Sequence, residues 1–256
     1  MGWYESGGTG TRTVLLLHGL GATAAVWNGV EGALQERGGM HWVAVDLSGH
    51  GGSDWRSLYS VGQLAAEVAE LVRDSGEVLV IGHSLGVYVG LALASRWFAI
   101  PVRGVLGVGP KITWTASDLQ GAKELAARPI RWYQTEEEAW MRYRRVSGLR
   151  PDTASASDAG LLARGVLRAE EGWRLAQDPR TFAVAGAPFA ALAASSTAPL
   201  LLARGEYDSM VSLDELRSYD RQARDISGAG HNAHVEDPGA IVALLEQLSA
   251  RVAGGL

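Results

Sequence analysis

The chain has 256 residues, 47% of them hydrophobic and 20% charged, enough to bury a substantial core within one large α/β domain. Its net charge is −5 and its basic residues are scattered, which argues against a nucleic-acid partner. Cysteine is absent, which excludes disulfides, thiolate metal sites and a cysteine nucleophile.

The N-terminal stretch MGWYESGGTGTR lacks the apolar core of a signal peptide. The apolar runs Val14–Leu17 and Val78–Ile81 are too short to span a bilayer. The expectation is a cytoplasmic protein with no membrane span.

Along the chain, Thr13–Leu17, Trp42–Val45, Val78–Ile81, Val102–Val108 and Leu200–Ala203 read as strands, with a weaker one at Ala223–Ser227. Helix-period segments separate them. Leu64, Val68, Leu71 and Val72 fall on one stripe, and small residues fill Ser84–Trp97. Ile241, Leu244, Leu245, Leu248 and Val252 form a late stripe that starts at Asp237-Pro238, where proline suits the first helical turn. This alternation predicts a mostly parallel central sheet with helices on both faces. It breaks between Pro110 and Ala198, where the sequence is helical in character, rich in Arg and Trp, and without a convincing strand. That pattern predicts a core formed by residues 1–110 and 199–256 and an inserted helical cap over 111–198. The stretch Ala190–Ala198 reads as a linker back to the sheet.

Gly82-His83-Ser84-Leu85-Gly86 lies between a predicted strand and a predicted helix. A chain that turns sharply from strand to helix strains its central residue, so the flanking positions need glycine. The turn lifts the Ser84 hydroxyl above the sheet at the positive end of the helix and leaves the Leu85 N–H free for a developing oxyanion. The pattern is G-x-S-x-G.

With this elbow and its flanking segments the chain resembles the α/β-hydrolase superfamily over nearly its whole length outside the insertion. Leu17-His18-Gly19-Leu20-Gly21 is similar to the family's H-G-x-G/P segment, which implies the Leu20 N–H as second oxyanion donor. Asp46 to Ser53 resembles the D-x-x-G-H-G-x-S segment, a supporting loop that gives His50 no catalytic role.

A serine hydroxyl needs a base to take its proton and a third group to orient that base. Gly230-His231-Asn232-Ala233-His234-Val235-Glu236-Asp237-Pro238 resembles the family's G-H-x4-E-x-P pattern, which implies His231 as the base. His234 then reads as a loop or site-rim histidine, and Glu236 as a structural carboxylate. The segment Arg204-Gly205-Glu206-Tyr207-Asp208 resembles strand-G-x-x-D, which implies Asp208 as the orienting acid in preference to Glu206. The alternative location after Val102–Val108 offers Gly109-Pro110-Lys111 and no carboxylate. The order Ser84, Asp208, His231 is the one this fold requires.

Aromatic residues concentrate in the insertion, among them Trp114, Trp132 and Trp140. They read equally as the wall of an apolar substrate pocket or as the core of a small subdomain. Trp27 has the same two readings, lining the pocket or packing its own helix. Arg142, Arg144 and Arg145 read as a solvated helix face, with an arginine available to a substrate carboxylate.

The resemblance implies hydrolysis of an ester, thioester or lactone of a small, apolar substrate through an acyl-enzyme on Ser84, with no cofactor. The same triad also serves carbon–carbon hydrolysis, perhydrolysis and lyase chemistry, and a non-catalytic binding protein can retain it.

Overall fold

The computed structural model describes residues 2–150 and 164–254. The predicted apolar runs form consecutive strands: β2 (Arg12–Leu17), β3 (His41–Val45), β4 (Glu77–His83) and β5 (Val102–Val108). After the insertion come β8 (Leu200–Gly205) and β9 (Arg224–Ile226). They pair in parallel in the order β3-β2-β4-β5-β8-β9, with β1 (Tyr4–Gly8) antiparallel on the outer edge of β3.

Both faces of this sheet are covered, which is why its strands read as unbroken apolar runs. Along β2, Leu15 and Leu17 face one core while Val14 and Leu16 face the other, all four fully buried. On the first face lie α2 (Val61–Val72), α3 (Leu85–Leu93) and α6 (Phe189–Ser195). On the second lie α1 (Asn28–Arg37) and α7 (Pro238–Gly254), the latter through the predicted stripe from Ile241 to Val252. No helix among the described residues is long and apolar enough to cross a membrane.

The chain leaves the sheet after Val108 and rejoins it at Leu200. Between lie α4 (Ala116–Ala126), α5 (Glu136–Ser147), a hairpin of β6 (Val166–Ala169) and β7 (Gly172–Leu175), and a 3-10 turn at Pro179–Val184. The hairpin corrects the expectation of an insertion without strands. Its arms are too short for alternation to register, and it is tied to the rest of the insertion by reciprocal backbone bonds between Tyr133 and Trp173. Tyr133, Ala139, Tyr143, Leu149 and Val166 form a small core of their own there. Pro151 and Asp152, part of the punctuation noted in the sequence, lie outside the described residues.

Two further boundaries differ from expectation. The segment read as a linker is largely helical, because Phe189 anchors α6 edge-on against Tyr88 of α3. Helix α3 stops at Leu93 rather than Trp97, where Ser95 turns its hydroxyl back onto the Ala92 carbonyl.

Register brings the strand ends together. Leu17 pairs with Gly82, His83 with Val108, Val108 with Ala203 and Gly205 with Ile226. The loops after β2, β4, β5, β8 and β9 therefore leave one edge of the sheet side by side. The crevice over the carboxyl ends, where strand order reverses between β2 and β4, is the place an open parallel sheet offers a ligand.

Candidate active site

Ser84 has φ 49° and ψ −111°, a backbone region that side-chain-bearing residues rarely enter. Its neighbours have no room for a side chain. A Cβ on Gly82 would stand 2.5 Å from the carbonyl of Gly86, and one on Gly86 would stand 2.0 Å from that of Leu17. The Ser84 N–H is held by Val108 O at 2.9 Å, so β4 and β5 fix the turn together. Among the described residues the Ser84 hydroxyl has no hydrogen-bond partner, leaving it open to the cavity that it lines together with His231. Catalytic contacts often close only when substrate is bound.

His231 Nδ1 donates to Asp208 Oδ2 at 2.9 Å, which leaves Nε2 as the acceptor. Asp208 is 3% exposed and well secured: its Oδ1 accepts from Met210 N at 2.8 Å, and its carbonyl accepts from Arg204 Nη1 at 2.9 Å. Sequence reasoning passed over Gly109, which makes this pair possible. At φ +57°, a Cβ there would lie 2.8 Å from Asp208 Oδ2 and 3.3 Å from His231 Nδ1. The signal was present in Gly109-Pro110-Lys111, which was read only for its missing carboxylate. The competitor Glu206 instead caps the Ser227-Gly228 turn, and Glu236 accepts from Gly230 N at 2.9 Å.

The loop after β2 is fixed by two buried histidines. His18 Nδ1 donates to Gly19 O at 2.8 Å while its Nε2 accepts from Leu47 N at 2.9 Å. His50 Nε2 accepts from Gly21 N at 3.1 Å. Each must be neutral to accept, and burial pushes their pKa values down to about 4 and about 3. Asp46 completes the support by accepting from Ala24 and Gly52 N–H groups. The N–H groups of Leu20 and Leu85 have no hydrogen-bond partner among the described residues.

His83 and His234 lie beneath His231. The His83 ring is 4.6 Å from that of His231 and 4.2 Å from that of His234, and its Nε2 donates to His231 O at 3.0 Å. His234 is fully buried rather than on the site rim, and burial pushes its pKa down to about 3. On its other side it meets Trp27 at 4.4 Å between ring centroids.

A cavity of about 280 Å³ opens over Ser84 and His231, with Leu20, Leu85, Tyr88, Trp114, Phe182 and Met210 among its walls. Of the four tryptophans expected at the pocket, only Trp114 lines it. Trp27 is wholly buried in the second core, Trp140 packs on the insertion's own core, and Trp132 stacks with Arg174. Trp27 and Trp140 supply buried area to the cores they sit in, while half-buried Trp132 covers an arginine. Tyr88 was legible one helical turn after Ser84 on α3. Phe182 and Ala185 to Ala187 come from a segment with no distinguishing pattern.

This site geometry on a parallel sheet agrees with what the sequence matches. Residues 14–244 match the alpha/beta hydrolase family, and the chain belongs to it. An esterase of Mycobacterium tuberculosis is 29% identical over 260 residues, covering 93% of this chain and 83% of that protein. An uncharacterised protein of the same organism is 39% identical over 120 residues, 46% of this chain, and the match spans about a third (34%) of that relative's length. Among solved structures, the thioesterase domain of the curacin biosynthetic pathway superposes with a TM-score of 0.75 at 20% identity, over 94% of this chain and 93% of that one. At that identity the likeness is one of fold.

Proposed function

We propose that the chain is a serine hydrolase of the carboxylesterase type, with Ser84, His231 and Asp208 as its triad and residues 111–198 as a cap over the site. The observation that carries this reading is the 2.9 Å bond from His231 to Asp208 on a cavity shared with a serine held at φ 49°. An esterase among the long-matching relatives supports the same reaction class.

In this reading His231 Nε2 takes the hydroxyl proton as Ser84 Oγ attacks the acyl carbon of an ester, thioester or lactone. The tetrahedral oxyanion forms against the N–H groups of Leu20 and Leu85, both on the cavity wall and without a hydrogen-bond partner among the described residues. Collapse breaks the bond to the alcohol or thiol, and His231 returns the proton to that leaving group. Water then attacks the acyl-enzyme with His231 as base, releasing the carboxylic acid and restoring Ser84. Asp208 holds the imidazole tautomer throughout. The neutral His83 beneath leaves His231 free to become the only cation of the pair during turnover.

Ser84→Ala is expected to abolish turnover of short p-nitrophenyl esters while the far-UV circular dichroism and melting temperature stay those of the parent. A fluorophosphonate should label the parent at Ser84. Retained turnover in the variant, or no labelling of folded parent, would overturn the assignment.

A further inference from the structure

The charged side chains that line the cavity at Ser84 and the cavity beside it are all basic; Asp208, bonded to His231, lines neither. The catalytic cavity has Lys111 and Arg145 on its walls and no carboxylate. Lys111 is already paired, its Nζ 3.1 Å from Asp118, whereas Arg145 has no partner among the described residues. A second cavity of about 110 Å³ lies in the insertion and shares Val146 and Phe182 with the first. Its charged walls are Arg128, Arg131 and Arg142, again with no carboxylate. Arg128 and Arg131 are exposed and Arg142 half-buried. None of the three has an acidic partner among the described residues, and Arg131 only overlies the Tyr133 ring. In a chain with five more acidic than basic residues, 28 against 23, such a grouping runs against the average.

Helix α5 links the two compartments. Arg142 and Arg145 are three residues apart and Val146 four from Arg142, so they share one side of the helix. Arg142 faces the second cavity, Arg145 the first, and Val146 both. The apolar catalytic cavity and the second cavity thus adjoin at Val146 and Phe182, and the second carries three guanidinium groups among its otherwise mostly apolar walls. One carboxylate is saturated by one or two such forks, while a phosphate offers more charge and more acceptor oxygens to match three.

We propose that the cleft of Arg128, Arg131 and Arg142 is a phosphate-binding subsite. It receives the phosphorylated leaving portion of an acyl ester or thioester whose acyl chain occupies the cavity at Ser84. This rests on the hydrolase reading above and deepens it by naming the substrate class. Hydrolysis of that substrate breaks the acyl C–S or C–O bond, water giving OH to the acyl group and H to the phosphate-bearing thiol or alcohol.

The test compares one short acyl group on two thiols, N-acetylcysteamine and coenzyme A, at low and moderate salt. The ratio of kcat/KM for the coenzyme A thioester to that for the N-acetylcysteamine thioester should exceed one in the parent. It should fall about tenfold in R128A/R131A/R142A, and fall with added salt in the parent only. Separately, titration calorimetry with inorganic phosphate should show binding by the parent and none by the triple variant. A ratio unmoved by the three substitutions overturns the subsite. So does a parent that hydrolyses both thioesters equally and binds no phosphate. A parent that hydrolyses neither thioester and no short p-nitrophenyl ester overturns the hydrolase reading; whether ester turnover is kept or lost, the phosphate titration then decides the subsite.

Discussion

Gly109→Ala puts a methyl group against the Asp208–His231 pair, which supplies its three nearest atoms. Two effects follow, and a second glycine separates them. At φ +57° an alanine bears a left-handed backbone cost of about 1 kcal/mol. Gly228, at φ +73° with nothing within 4 Å of its would-be Cβ, bears the same cost and no contact. At Gly109 the added carbon would meet Asp208 Oδ2 at 2.8 Å, so one partner must move by about half an ångström. Asp208 has little freedom, with Met210 N on its Oδ1 and Arg204 on its carbonyl. The displacement therefore falls on the 2.9 Å bond to His231. Full loss of the orienting acid in a serine triad lowers kcat by about 10⁴, and a displaced acid is expected to lower it by about 10² to 10³. Both variants should melt a few degrees lower by calorimetry, while p-nitrophenyl acetate turnover falls only in Gly109→Ala. If Gly109→Ala stays within about threefold of Gly228→Ala, the Asp208–His231 bond does not carry the chemistry assigned to it.

Other expectations follow from the same contacts. Glu31 is buried on α1, and burial, then Glu5, raises its pKa to about 8. The unfolded chain loses this proton near pH 4.5 and the folded chain near 8, so stability should decline as pH rises through that window by a few kcal/mol. Urea melts of Glu31→Gln at pH 5 and pH 9 should show the decline removed; an unchanged slope would refute the burial argument. His50 works in the opposite direction: the unfolded state takes a proton near 6.5 and the folded state only near 3, so stability falls as pH drops through that range. His50→Gln, which can still accept from Gly21 without titrating, should make the acid limb shallower, and an equally steep limb would count against it. Trp114→Ala should raise KM for longer acyl esters and Trp140→Ala should lower the melting temperature with acyl preference retained; a reversed pair of outcomes would relocate the pocket.

The legible features were those whose chemistry demands a residue type at a fixed place. Glycines at 82 and 86 are required by contacts of 2.5 Å and less, so the elbow announces itself in five residues. Strands β2, β4 and β5 were legible because burial on both faces makes their central residues apolar. Edge strand β1 was not: its sequence, YESGG, is half exposed, and its pairing with β3 rests on backbone bonds. The tryptophans were misread because aromatic content reports how much area a segment must bury and carries no direction. Trp27 and Trp114 look alike in the sequence, and only the packing separates a core residue from a cavity wall. His234 shows the same limit, since two histidines three apart gave no sign that one would turn inward against Trp27.

The insertion and the loops at the carboxyl ends of the strands are held by shared contacts, so the cavity and the proposed triad are positioned together. Helix α5 ends at Gly148 in the left-handed conformation, and a Cβ there would stand 3.0 Å from Asn232 Nδ2. Asn232, next to His231, donates that amide to Ser147 O at 3.0 Å, and Arg150 pairs with Glu236, which itself holds Gly230 N. On the opposite side a Cβ on Gly21 would meet Val146 at 2.6 Å, so the loop carrying Leu20 also lies against α5. The last turn of α5 thus touches the loop of His231 and the loop of Leu20 at once. A shift of this helix large enough to widen the cavity at Val146 would disturb the Asn232 contact and the approach at Gly21 together. Changes in acyl preference made at Val146 should therefore affect kcat as well as KM, whereas changes at Met210, on the loop of Asp208 and remote from these contacts in sequence, have no such route through α5.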